Sequence, residues 1–279
     1  MGKELNKFNR RKEARRRFEE INRKRDMSLI IHYSCESFYD IKDGRTPRVT
    51  SIAIKNFDSG QTASFSIHKT AELLNVSAEG ISEKYDELER KMLDEFFMYL
   101  KTSPNHRFIH WNMRDINYGF QAIEHRYRTL GGDDPIVVDD GRKFDLAREL
   151  INLFGPAYAP HGENGRLHSI MQLNHITAKD ALTGKEEAAA FENHEFVKLH
   201  QSTLRKVDVM NNLLDRTLDG SLKTNASWSD KNGLHPAAFL EFIQQHWLWG
   251  IVVILGSLIA IFAPIASWVG SLVSVFHKS

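Results

Sequence analysis

The chain has a single cysteine, Cys35, in 279 residues. One thiol excludes an intramolecular disulfide and any zinc site built from several cysteines, and a reducing compartment is the natural reading. Net charge is also scarce. The 37 Lys and Arg against 36 Asp and Glu leave +1, which excludes the uniformly basic body of a general nucleic-acid coat. No apolar run stands behind the basic residues at the N-terminus, so no secretory signal peptide is expected there. In "MGKELN" Asn6 occupies the position where myristoylation calls for Ser or Thr. The 13 histidines form no HExxH and no tight cluster with cysteine, so they do not indicate a zinc enzyme. A glycine loop that cradles phosphate is missing too: "LGGDD" lacks the lysine and following helix, and "GKEEAAAF" lacks the upstream glycine. There is no internal repeat and no low-complexity tract.

The charge that is present is unevenly spread. Residues 1–26 hold eleven Lys or Arg against five Asp or Glu, a net +6 that leaves the rest near −5. Many helix formers and no proline predict a charged N-terminal helix. Its Arg10, Arg11, Lys12, Arg15, Arg16 and Arg17 are candidates for contact with nucleic-acid phosphates or anionic lipid, or form a solvated face that binds nothing specific.

The C-terminal run "WLWGIVVILGSLIAIFAPIASWVGSLVSVF" has no charged side chain over 30 residues. A bilayer core needs about 20, so a transmembrane helix or hairpin is expected over 246–276. A straight helix there would reach about 45 Å, so it must tilt, kink at Pro264 or break. Gly256, Ala260, Ala263, Ser267, Gly270, Ser271 and Ser274 recur at spacings of three and four. That stripe of small residues is the kind of surface along which membrane helices approach, so a homo-oligomer is expected. Trp247, Trp249 and His246 suit the headgroup zone. The polar, breaker-rich stretch from 221 to 245 reads as a linker, with residues 27–220 as a domain on the cytoplasmic side of the membrane.

Within that domain "SLIIHYSCESF", "RVTSIAIKNF" and "TASFSIH" read as three strands joined by short loops. Ile81, Tyr85, Leu88, Met92, Phe96 and Leu100 recur at helical spacing and predict a helix over 79–101. "HRFIHWN" then reads as a strand, "YGFQAIEHRYRTLG" as a helix and "PIVV" as a strand, followed by a helix in "FDLARELINLFG". Further helices are expected in "RLHSIMQLN", "KEEAAAFENHEFVKLHQ" and "STLRKVDVMNNLLDRTLDG". This succession predicts an α/β fold with mixed strand directions.

Glu36 at the end of the first strand, Asp115 after the fourth and Asp208 in the last long helix form a set that resembles the ribonuclease H-like exonucleases with four acids. Those enzymes carry "DxE" on the first strand, "HNxxFD" in the middle and "HxxxxD" on the last helix. The resemblance covers roughly residues 28–220 and implies a ribonuclease H-like mixed sheet flanked by helices. It also implies Glu36, Asp115 and Asp208 as ligands of two Mg²⁺ or Mn²⁺ ions, which would activate water against a phosphodiester. His110 precedes Asp115 by five residues as in the family pattern, with Asn112 displaced by one. Ser34 stands where the family has aspartate, and Thr203 where it has its general-base histidine. A serine hydroxyl replaces a bridging carboxylate poorly, and threonine cannot deprotonate water near neutral pH. His200 and Asp40 are the nearby substitutes.

Each acid also has an ordinary structural role open to it. Glu36 can face solvent, Asp115 can cap the helix starting at Asn117 or Tyr118, and Asp208 can pair with Arg205 or Arg216. The resulting expectation is a membrane-anchored, catalytically degenerate exonuclease-like module. It would recognise nucleic acid or a nucleoprotein partner and act through its membrane segment, an architecture similar to that of bacterial defence effectors. A tethered metal-dependent 3′–5′ exonuclease and an anchored protein-binding scaffold are the alternatives.

Overall fold

The computed structural model describes residues 2–36, 46–114, 117–227, 230, 251–252 and 254–262. The chain divides into two compact units: Glu13–Ser227, and Met1–Lys12 together with Trp228–Ser279.

Five strands form one mixed sheet: β1 (Ser28–Cys35), β2 (Val49–Asn56), β3 (Thr62–Ser66), β4 (Arg107–His110) and β5 (Lys143–Asp145), in the order β3-β2-β1-β4-β5. The first three make an antiparallel meander, while β4 and β5 run parallel to β1. β1 is central, and it is buried along nearly its whole length, as an almost unbroken apolar strand with both faces covered must be.

Alternation then assigns each β1 side chain to one of two layers. Leu29, Ile31 and Tyr33 share one core with Met92, Phe96 and Phe97 of α3 (Tyr85–Lys101) and Ile123 of α4 (Phe120–Thr129). Ile30 belongs to the other core, with Leu146 and Leu150 of α5 (Leu146–Phe154), Ile170 of α6 (Gly165–Leu173) and Val207 and Met210 of α8 (Phe196–Leu218). His32 and Ser34 share the parity of Ile30, so they face the α8 layer. On the α3 layer Glu89 is fully buried; it accepts from Arg126 of α4 at 2.6 Å and from the Val49 N–H of β2 at 2.6 Å, tying three elements together.

Several expected boundaries differ. The fifth strand is Lys143–Asp145 rather than "PIVV", because residues 143–145 lie beside β4 in parallel register. The third strand stops at Ser66 and continues directly as a short helix, α2 (Ile67–Leu73), whose Ile67, Thr70 and Ala71 are buried. The last helices break at Asn193 and His194, where His194 takes φ 58, so α7 (Gly184–Glu192) ends early and α8 runs unbroken through His200, Thr203 and Asp208. The basic N-terminal segment is α1 (Lys3–Arg23), and its second half is part of the domain: Ala14, Phe18 and Ile21 are buried in the α5–α8 core. The stretch expected as a linker begins docked, with Leu222 and Ala226 buried and the Asn225 N–H donating to the Tyr158 carbonyl at 2.9 Å.

Among the described residues no helix is long and apolar enough to cross a membrane, which overturns the transmembrane helix or hairpin expected over 246–276. At about 1.5 Å per residue a hydrocarbon core of about 30 Å calls for about 20 residues of apolar helix; residues 254–262 are helical among the described residues of this stretch. Of the small-residue stripe, Gly256 and Ala260 lie on that piece, and nothing stands within 4 Å of a Cβ built on Gly256. Ala263, Ser267, Gly270, Ser271 and Ser274 lie outside the described residues, as do Trp247, Trp249 and His246.

Candidate anion-binding pocket

Beside the carboxyl end of β1, the layer facing α8 is polar rather than apolar. Ser34 and Ser51 are register partners on β1 and β2, and both lean toward Thr203 of α8. The Ser34 and Thr203 hydroxyls lie 2.7 Å apart, those of Ser51 and Thr203 2.5 Å. Ser34 also donates to Glu187 of α7 at 3.1 Å, and Ser202 donates to the same oxygen at 2.8 Å. Lys206, one turn further along α8, completes the group by pairing with Glu187 at 2.7 Å. This buried network is satisfied by hydroxyls and one ion pair, which is how polar groups persist under a helix without a large desolvation cost.

Next to it opens a cavity of about 390 Å³. Arg114, Arg166, His161, His168, Lys206 and His32 are on its wall, and among the described residues no Asp or Glu lines it. Arg166 stacks over Tyr158 at 5.5 Å and forms no ion pair among the described residues. Arg114 reaches Asp145 at 2.8 Å and also donates to the Asn112 side chain. The first turn of α6 faces the cavity at Asn164, Gly165 and Arg166; Asn164 provides no side-chain cap, so the turn's N–H groups and the positive end of the helix dipole favour an anion there. Thr183 and Gly184 bring the start of α7 to the same wall. His32 is 7% exposed and its Nε2 has no hydrogen-bond partner among the described residues. Burial, and secondly the Lys206 charge, hold its pKa well below the usual range, so the ring is neutral.

The expected site residues are scattered. Glu36 follows β1 and accepts from the Arg48 N–H at 3.3 Å. Asp208 forms an ion pair with Lys55 at 2.7 Å, not with Arg205 or Arg216. Because Lys55 lies opposite Ile30, six positions before Glu36, roughly 20 Å of strand separates the two regions. Asp115 and Asp40 lie outside the described residues. His110 ends β4, where burial lowers its pKa to about 4 and its Nδ1 accepts from the Met113 N–H at 3.2 Å. His200 turns away from Thr203 and packs on His68 of α2 at 5.0 Å, its pKa also lowered by burial to about 4. Among the described residues no group of three His, Cys, Asp or Glu is disposed to hold a metal ion. The hydroxyls and ammonium around Ser34 are a poor donor set for Mg²⁺ or Mn²⁺, which need several anionic or carbonyl oxygens.

On α1, Arg16 pairs with Glu13 and Glu20, and Arg17 with Glu13 and Glu149 of α5. Arg10, Lys12 and Arg15 are exposed, whereas Arg11 is buried. Of the expected cationic face, Arg16 and Arg17 are thus paired with acids.

The sequence reading missed Arg166, His168, Lys206 and His32. Their signal was weak: they come from four separate segments with no fixed spacing, and only His32, a polar residue between Ile31 and Tyr33 in an apolar strand, stood out locally. Compared with protein families, with known proteins and with solved structures, the chain matches none of them.

Proposed function

We propose that this domain is a ribonuclease H-like module that has exchanged two-metal catalysis for recognition of a phosphate-bearing nucleotide, either free or at the end of a nucleic-acid strand. The observation that carries the reading is a cavity whose described lining holds Arg166, Lys206, Arg114 and the uncapped start of α6 and no Asp or Glu, with Arg166 outside any ion pair among the described residues. Such a cavity favours a compact dianion through charge-assisted hydrogen bonds. The succession of meander, helix, parallel strand, helix, parallel strand and helices is in keeping with the resemblance. In the two places where that family has aspartate and histidine, Ser34 and Thr203 hydrogen-bond each other instead. Asp208 is neutralised by Lys55 at the far end of the sheet.

Full-length protein is to be titrated with a nucleoside 5′-monophosphate, with 5′-phosphorylated single-stranded DNA and RNA, and with the same strands lacking the phosphate. Binding that requires the phosphate, weakens with salt and falls at least tenfold in Arg166→Met supports the reading; the two phosphorylated ligands then separate a free nucleotide from a strand end. End-labelled strands incubated with Mg²⁺ and then Mn²⁺ provide the opposing outcome. Cleavage abolished by Asp115→Asn would make the protein a metal-dependent nuclease and overturn the proposal.

A further inference from the structure

The other compact unit, Met1–Lys12 with Trp228–Ser279, presents a surface of a different kind. In its helical piece 254–262, Ile254, Leu255, Leu258, Ile259, Ile261 and Phe262 are each 44–68% exposed. At 3.6 residues per turn these six fall on about half of the helix circumference, while Gly256 and Ala260 lie on the other half. Ile251 and Val252 are exposed as well. Single apolar side chains on a surface are ordinary, but a contiguous apolar face of this width marks a place where something else is bound. The same unit contains the start of α1. Lys3–Lys12 holds five Lys or Arg and one acid, Glu4. Lys3, Lys7 and Arg10 are exposed and stand at i, i+4 and i+7, which aligns them on one face of the helix. Lys7 pairs with Glu4 at 2.8 Å, whereas Lys3 and Arg10 form no ion pair among the described residues. Phe8, in the same turn as Lys7, is 42% exposed.

Charge decides what covers the apolar face. A second copy of the chain brings the same excess of cations and so adds repulsion. A folded protein partner is recognised through directional polar contacts around an apolar centre, and residues 251–262 hold Ser257 as their one polar side chain. A lipid surface demands neither direction nor register. Its acyl boundary takes up large apolar side chains, and its anionic headgroups take up Lys and Arg. We infer that this unit docks on an anionic lipid surface, with the large apolar side chains of 254–262 entering the acyl boundary and Lys3 and Arg10 held by the headgroups. The apolar face supplies affinity, and the cations supply the preference for negative charge. Because both units belong to one chain, the domain with the phosphate pocket is thereby kept near that surface.

The experiment floats full-length protein with vesicles of phosphatidylcholine and with vesicles that also contain phosphatidylserine, at low and at high salt. Binding to both is expected, about tenfold stronger with phosphatidylserine at low salt, and the difference is expected to shrink at high salt. Leu255→Glu combined with Ile259→Glu is expected to abolish binding to both. Lys3→Gln combined with Arg10→Gln is expected to lower binding to the phosphatidylserine vesicles nearly to that seen with phosphatidylcholine alone. All four side chains are exposed, so both variants are expected to keep the urea midpoint of the unmodified protein. Failure to float with either vesicle, or flotation that survives the two glutamates, would overturn the inference. Equal binding to the two vesicles at low salt would overturn the part given to the cations. Sedimentation without vesicles examines the competing occupant. A defined oligomer that the two glutamates dissolve and that ignores vesicles would show that a second copy covers the face, and would sink the lipid reading.

Discussion

Two buried histidines contribute to the acid sensitivity of the domain. Burial lowers the pKa of both His110 and His200 from 6.5 to about 4. As pH falls the unfolded chain therefore takes up these protons before the native one does. Stability from each residue is complete above 6.5, is lost progressively between 6.5 and 4, and amounts to at most about 3 kcal/mol. Urea unfolding at pH 7 and at pH 4.5 is expected to show the loss, and His200→Gln to shrink it. At Ser34 the expected effect has another origin. Ser34→Asp would set a buried carboxylate against Glu187, now 3.1 Å from the serine oxygen, with Lys206 as the one cation to share. We expect a loss of about 3 kcal/mol, measured by denaturation, with no gain of Mg²⁺-dependent stabilisation. A large Mg²⁺-dependent rise in melting temperature would show instead that a single acid restores a metal site.

Helix α1 illustrates how one element can serve charge and packing together. Its surface holds i,i+3 and i,i+4 pairs such as Arg16 with Glu13 and Glu20, exposed pairs that solvent screens and that add little to stability. Its hold on the domain comes from Phe18, edge-on to Phe144 with ring centroids 5.2 Å apart. Phe18→Ala is expected to cost about 3–5 kcal/mol in chemical denaturation, whereas Arg16→Ala should leave the unfolding midpoint almost unchanged. On the opposite face of the sheet, α3 and α4 are joined by the buried Glu89–Arg126 pair. Replacing Arg126 by alanine leaves Glu89 fully buried and short of its main partner, and is expected to cost about 3–5 kcal/mol. Measured loss below about 1 kcal/mol would mean that Asp86 and solvent rearrange to compensate.

At the scale of the whole molecule, Glu13–Ser227 is a compact unit by itself, and the docked segment around Leu222, Asn225 and Ala226 sets its C-terminal limit. A chain ending at Ser227 is therefore expected to unfold in one cooperative transition and to bind a nucleoside monophosphate as the full chain does. A chain ending at Leu218 loses Leu222 and Ala226 from the core and should be less stable by about 2 kcal/mol or more. Thermal and urea unfolding of the two, compared at equal concentration, tests this.

Periodicity and turn residues were enough to establish the α/β class, the opening meander, the helix centred on Leu88 to Leu100 and the strand ending at His110, because each depends on nearby residues. What the linear order could not decide was which side chains meet. Ser34, Thr203, Glu187 and Lys206 are brought together by the docking of α7 and α8 across β1, and that docking follows from core packing distributed over the whole domain. The same packing slides Asp208 to the Lys55 end of the sheet, a displacement invisible in the spacing of the acids. It also assembles the cationic wall from Arg114, Arg166 and Lys206. Local pattern thus determined the elements, while the long-range burial of apolar faces decided which polar residues share one cavity.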